Sequence, residues 1–325
     1  EPALSGIADG SIIMSWTEPD GTGFAVKTAT LQGGNWSRPV TITTSNSLFV
    51  NWADFPTVAA FNDGTLAVSW LQENTNIPYA YDINIALSSD AGQTWGSPIV
   101  PHDDQSTRQH GFLTLLPTER DEMIAVWLDA REYNSQSPGD SFGNAVQLRS
   151  TTIGKDGTLG KDIPLDLRAC SCCQTSAAIT EDGTVLIAYR DRTADEIRDI
   201  SIVRRHNGVW SGPVNVHADG WEISGCPING PAIDAQATDA VVAWFTGADN
   251  IATIKVAFSE DSGVTFGPAF QVDSGESVGH VGTLMLATGD ALISWVEWTS
   301  DGEVLMLCRA TKNDGCVARQ TITEH

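Results

Sequence analysis

One short segment recurs along the chain and limits its fold more than any other feature. A turn leads into alternating small and apolar residues that end in an aromatic ring. The copies run from Gly10 to Trp16, Gly64 to Trp70, Glu122 to Trp127, Gly183 to Tyr189, Ala240 to Trp244 and Asp290 to Trp295. Their aromatics are spaced by 54, 57, 62, 55 and 51 residues. A period of that length suits four short strands with their turns, the unit of a radially repeated sheet. The pattern predicts an all-β chain, one six-bladed β-propeller domain of four-stranded antiparallel blades. The blades fall at roughly 1–45, 46–102, 103–165, 166–218, 219–273 and 274–325. Within each blade, strand a is innermost, strand b ends at the aromatic, and strands c and d flank a tight outer turn.

A second pattern keeps phase with the first. Ser88, Asp90, Gly92, Thr94 and Trp95 form the spacing S-x-D-x-G-x-T-W, and Ser259, Asp261, Gly263, Thr265 and Phe266 repeat it with Phe. Asp and Ser can cap backbone N–H groups, Gly supplies a positive φ, and the aromatic packs under the turn. Degenerate copies lie at Gly34–Trp36, Asp156–Thr158, Asn207–Trp210 and Asn313–Gly315. Together these turns resemble the Asp-boxes (BNR repeats) of the sialidase superfamily, over essentially the whole chain. The resemblance implies a sialidase-like propeller. It does not imply the reaction, because the turn sits on the outer edge of a blade. Blade 1 keeps its own strand a near Pro2–Ile7 and blade 6 its own strand d near Val317–Thr323, so no strand is exchanged between the termini. Cys308 and Cys316 flank the last turn and are expected to form a disulfide.

Charge narrows the partners. With 18 Lys and Arg against 41 Asp and Glu, the net charge is −23. Such a surface repels phosphate backbones and anionic lipid, which argues against nucleic-acid binding and membrane adsorption. No apolar run is long enough for a membrane helix, so no membrane insertion is expected. The six cysteines suit an oxidising compartment. Glu1 opens on a structured-looking segment, as after removal of a leader. A secreted, periplasmic or extracellular monomer is therefore expected.

In a propeller, the loops leading into strand a and out of strand b open on one face, around the central channel. Here those loops carry His110, Cys172, Cys173, Cys226 and His280, with Cys170 just upstream. Thiolate and imidazole together suit a soft transition metal, copper in preference to zinc. The competing assignment is a disulfide joining Cys226 to one of Cys170, Cys172 or Cys173, or one within that run. The same loops carry Asp54, Glu73, Asp129, Arg131, Asp191, Arg192 and Arg198. By the sialidase resemblance, Arg131, Arg192 and Arg198 would clamp a substrate carboxylate, while Asp54, Glu73, Asp129 and Asp191 would supply an acid and a base. The first innermost strand, Glu1-Pro-Ala-Leu-Ser, lacks the arginine that sialidases carry there, so their full catalytic set does not transfer. Tyr189 takes the place of a core Trp, and residues 190–199 also read as a salt-bridged loop.

Three functions follow. The first is a metal-binding propeller using His110, Cys172, Cys173, Cys226 and His280. The second is a sialidase-like exo-glycosidase or another enzyme acting on acidic glycans. The third is a non-catalytic glycan- or protein-binding propeller.

Overall fold

The computed structural model describes residues 2–75, 77–133, 145–300 and 302–322. Glu1 and Thr323, named above at the ends of the chain, lie outside them. The chain divides into two compact units, Glu1–Leu167 and Arg168–His325.

Three antiparallel sheets make up the first unit. Sheet one holds β1 (Ala3–Gly6), β2 (Ile12–Asp20), β3 (Gly23–Gln32), β4 (Asn35–Trp36) and β5 (Val40–Ser45). The two last strands both pair with β3. Sheet two holds β6 (Val58–Ala60), β7 (Leu66–Glu73) and β8 (Tyr81–Ser88). Sheet three runs in space as β12 (Ile163–Ala169), β11 (Val146–Gly154), β10 (Glu122–Asp129) and β9 (His110–Pro117).

Three more sheets form the second unit. The first contains β13 (Ser176–Ile179), β14 (Val185–Arg190), β15 (Ile200–His206), β16 (Val209–Trp210) and β17 (Val214–Asn215). Next come β18 (Ala232–Gln236), β19 (Asp239–Thr246), β20 (Thr253–Ser259) and β21 (Phe270–Gln271). The last sheet has β22 (Ser277–Met285), β23 (Ala291–Thr299), β24 (Gly302–Thr311) and β25 (Gly315–Thr321). The six sheets follow the six repeats in order, and each repeat aromatic lies on the second strand of its sheet.

The repeat owes its apolar character to packing on both faces. In β7, Leu66 to Leu71 are all buried, and β10 is buried from Met123 to Asp129. A strand covered on both sides loses the apolar–polar alternation of a half-exposed one. Ile13, Val26, Leu66, Val68 and Trp70 join sheets one and two, and Ile83, Ile85, Met123 and Trp127 join sheets two and three. In the second unit, Leu186, Ile202, Val242 and Trp244 form one core, and Val256, Ile293, Trp295 and Met306 the next. Trp127, Trp244 and Trp295 are fully buried, and each contributes roughly 1.5–3 kcal/mol by leaving water.

A buried indole N–H needs an acceptor. Three repeats supply it two residues on: Trp16 donates to Glu18, Trp127 to Asp129 and Trp295 to Glu297, each at 2.8 Å. Trp244 instead donates to Asp219 at 2.6 Å. The two complete outer turns are alike. In the first, Asp90 accepts from the Ser88 hydroxyl at 2.8 Å and from the Thr94 N–H at 2.9 Å, while Gly92 sits at φ +81° and donates its N–H to Ser88 Oγ. Ser259, Asp261, Gly263 and Thr265 repeat these bonds. Cys308 and Cys316 are joined as a disulfide across β24 and β25.

Candidate functional site

Each unit gathers one cluster of reactive side chains. In the first unit it forms where β8, β9 and β10 begin or end. His110 opens β9 and is completely buried. Its Nε2 lies 3.0 Å from Asp104 and 3.8 Å from Asp129, and its Nδ1 lies 3.4 Å from Asp82 and 3.3 Å from the Tyr81 carbonyl. His102 stacks flat on His110, with ring centroids 3.7 Å apart and planes 3° from parallel. Beside them Arg131 donates to Asp129 at 2.7 Å, to Asp162 at 2.6 Å and to Asp103 at 3.2 Å. Arg149 donates to Asp162 at 2.7 Å.

These contacts set the protonation. Burial alone would lower the His110 pKa, but Asp104 and Asp82 outweigh it and lift it to about 9. Burial likewise works against the Asp104 carboxylate, yet His102 and His110 hold it well below the usual carboxylate range. Burial also opposes the charged form of Asp129, which the Arg131 guanidinium nonetheless keeps low. His110 thus faces carboxylates and a backbone carbonyl, and no sulfur among the described residues.

Asp54 belongs to the same unit and does a different job. It is 6% exposed, and its Oδ2 accepts the N–H of Phe112 at 2.9 Å. Phe112 has a φ of +55° inside a bulge between β9 and β10. Burial lifts Asp54 to about 7, only partly offset by that N–H. The second unit repeats the device with an amide: Asn229 Oδ1 accepts the N–H of His280, at φ +54° in the bulge of β22, at 3.1 Å. His280 is exposed, and it is placed by this grip on its backbone.

The second unit's cluster is built on the loop from β12 to β13 and on the end of β14. Cys172 is joined to Cys226 as a disulfide. That pairing corrects the expected ligand quintet, because two of its three sulfurs are spent on each other. The free thiols are Cys170 and Cys173, both 1% exposed, with sulfurs 3.2 Å apart. Cys170 Sγ is also 3.9 Å from Cys172 Sγ and accepts from Arg198 Nη1 at 3.4 Å. The hydrogen bond from Cys173, then the charges of Arg198 and Arg190, lower the Cys170 thiol to about 6 in spite of burial. Burial pushes Cys173 up.

Arg190 explains part of this electrostatics. It is 1% exposed and lies 4.9 Å over the Trp221 ring. Its guanidinium donates to the carbonyls of Asn229, Arg198 and Phe245, and to no carboxylate among the described residues. A buried cation solvated by carbonyls alone favours a nearby anion, and a Cys170 thiolate supplies one. Arg192 and Arg198 both bind Glu196, at 2.5 and 2.8 Å. Asp191 accepts the Ser201 hydroxyl at 2.9 Å. The arginines expected to hold a substrate carboxylate are thus engaged by carboxylates of the protein: Arg131 in the first unit, Arg192 and Arg198 in the second. Tyr189 is a fully buried core residue.

No protein-family model matches the chain, and no curated protein matches it in sequence. Solved structures do match. A protein of unknown function from Dyadobacter fermentans superposes with a TM-score of 0.61 at 13% identity, over 94% of this chain and 92% of that one. An ulvan lyase, from a new family of polysaccharide lyases and bound to -[GlcA(1-4)Rha3S]-, gives 0.59 at 13% identity over 99% and 80%. A Hadza microbial sialidase gives 0.53 at 17% identity over 90% and 62%. Likeness at these identities carries the fold and nothing further. The fold is a six-bladed, sialidase-like β-propeller. Among the described residues, no helix is long and apolar enough to cross a membrane.

Cys170 is the site residue that sequence reasoning set aside, as lying upstream of the loop positions that mattered. The spacing Cys170-x-x-Cys173 was its signal. His102, Asp82 and Asp104 were missed altogether. The run Pro101-His102-Asp103-Asp104, just ahead of β9, was legible for His102 and Asp104, whereas nothing local marks Asp82.

Proposed function

We propose that this propeller binds a soft transition metal ion, copper in preference to zinc, through the Cys170 and Cys173 thiolates of the second unit. The observation that carries the reading is the buried thiol pair itself, with sulfurs 3.2 Å apart beside two guanidinium-bearing side chains, Arg190 and Arg198. Two thiolates on one Cu(I) leave a net negative charge, which those guanidiniums offset. Soft sulfur ligands select Cu(I). The lowered Cys170 thiol loses its proton near neutral pH, so only Cys173 need be deprotonated by the metal. His110 and His280 drop out of this ligand set, the first bound among carboxylates and the second exposed on a bulge. Two disulfides fit a secreted protein in an oxidising compartment. The test is a Cu(I) competition titration against a coloured chelator. One Cu(I) per chain is expected, lost in Cys173→Ser. A Cys173→Ser protein that keeps full stoichiometry overturns the reading.

A second reading rests on the fold. The likeness to a sialidase and to a uronate-bound lyase over 90% or more of this chain supports an enzyme or binding protein for acidic glycans. Hydrolysis of a fluorogenic sialoside, followed by a panel of uronic-acid glycosides and an unsaturated-product assay for lyase action, tests the enzyme. No turnover on any of them sinks it.

A further inference from the structure

The two thiols and the disulfide of the second unit form one connected set of sulfurs. Cys170 Sγ lies 3.2 Å from Cys173 Sγ and 3.9 Å from Cys172 Sγ, the near end of the Cys172–Cys226 disulfide. An S–S bond measures about 2.05 Å, so both neighbours of Cys170 lie within about 2 Å of bonding distance. A disulfide that only braces a fold has no need of a thiol in contact with it. A thiolate in that position attacks the disulfide and exchanges with it. Arg198 Nη1 donates to Cys170 Sγ at 3.4 Å and so favours the attacking form.

Exposure divides the four sulfurs. Cys170 and Cys173 are both 1% exposed, Cys172 is half-buried, and Cys226 is exposed together with Ser224 and Gly225 before it. The buried dithiol thus holds two electrons that an external molecule does not reach directly. Cys226 is the solvent end of the chain of sulfurs that leads to them.

We propose that these four cysteines form a thiol–disulfide exchange centre, which passes the electrons of the buried Cys170/Cys173 pair to an external disulfide through Cys172 and Cys226. The centre works in the metal-free protein and does not rest on the copper reading. The Cys170 thiolate attacks Cys172 Sγ. The Cys170–Cys172 bond forms as the Cys172–Cys226 bond breaks, and the electron pair leaves on Cys226. Cys173 then loses its proton to water and attacks Cys170 Sγ, which closes Cys170–Cys173 and releases the Cys172 thiolate. The disulfide has moved inward with no oxidant consumed. The Cys226 thiolate next attacks the external disulfide and expels one thiolate from it. The Cys172 thiolate attacks Cys226 Sγ, restores Cys172–Cys226 and expels the second. The external disulfide gains two electrons and, with protons from water, becomes two thiols. Cys170 and Cys173 lose those electrons and end as a disulfide. A net charge of −23 favours an uncharged or cationic disulfide over an anionic one.

The probe is dipyridyl disulfide, which is uncharged, added to chelator-stripped full-length protein, so that failure of the copper reading leaves this test intact. Two thiopyridones are expected per chain, read by absorbance. A second sample, without the probe, is treated with iodoacetamide under native conditions and mapped by peptide mass spectrometry. The label is expected on Cys226, with Cys170 and Cys173 joined to each other. Cys173→Ser stops the relay at its first exchange, so there the label should fall on Cys226 with Cys170 joined to Cys172. Far-ultraviolet circular dichroism checks that the labelled proteins remain folded. The proposal is overturned if iodoacetamide marks Cys170 or Cys173 of the parent protein while Cys172 and Cys226 stay joined, or if the native protein releases no thiopyridone.

Discussion

Replacing Asp54 by Asn should make the protein more stable at neutral pH and no more stable in acid. Asp54 is 6% exposed, and burial lifts its pKa from 3.8 to about 7. In the unfolded chain the carboxyl ionises near its ordinary value. Between about pH 4 and pH 7 the unfolded state therefore releases a proton that the folded state retains. For a raised pKa, the stabilising contribution is fully present below pH 4 and is lost as pH rises through 7. At about 1.4 kcal/mol for each tenfold step, that loss is about 4 kcal/mol, complete above pH 7. Asn keeps an oxygen for the Phe112 N–H but has no proton to lose. Asn229 already performs this task on the bulge at His280. The assay is urea denaturation of both proteins at pH 4 and pH 8. The stability difference should be near zero at pH 4 and several kcal/mol in favour of Asn at pH 8. Equal differences at the two pH values, or an Asn variant weaker at both, would refute the argument.

Three further outcomes are expected. Gly111→Ala places a methyl group onto the Asp54 carboxylate and 3.0 Å from the Tyr81 ring, so it should cost about 1–3 kcal/mol in a denaturant titration. Removing the Cys308–Cys316 disulfide by double Ser substitution should cost about 2.5 kcal/mol, from the loop entropy of a separation of 8 residues, read as a lower thermal midpoint. Arg198→Met removes the donor to Cys170 Sγ and a nearby positive charge, so the thiolate absorbance should titrate at higher pH than in the parent protein. An unchanged midpoint would mean that Arg198 does not set this thiol.

What the sequence disclosed and what it hid follow the range of the forces involved. The blades were legible because each strand packs in a repeating context: turn, apolar run and aromatic come within about ten residues, and a periodic search finds them. The outer turns were legible for the same reason, since Asp90 satisfies N–H groups only four residues away. The Trp-x-acid pairs were equally local and were overlooked, although Trp127-Leu-Asp129 places indole and carboxylate on one face of a strand. The sites are another matter. A search restricted to loops before the first strand and after the second found His110 but not Asp82, which begins the third strand of its sheet and meets His110 only because β8 and β9 lie side by side. The cysteines show the limit of counting ligands by type. Cys172 and Cys173 are neighbours in sequence with the same chemistry. Yet Cys172 reaches Cys226, with Cα atoms 6.2 Å apart, while Cys173 turns inward to Cys170. Only the direction in which each side chain leaves the backbone separates the disulfide-bonded sulfur from the free thiol, and two adjacent cysteines in a sequence carry no sign of that direction.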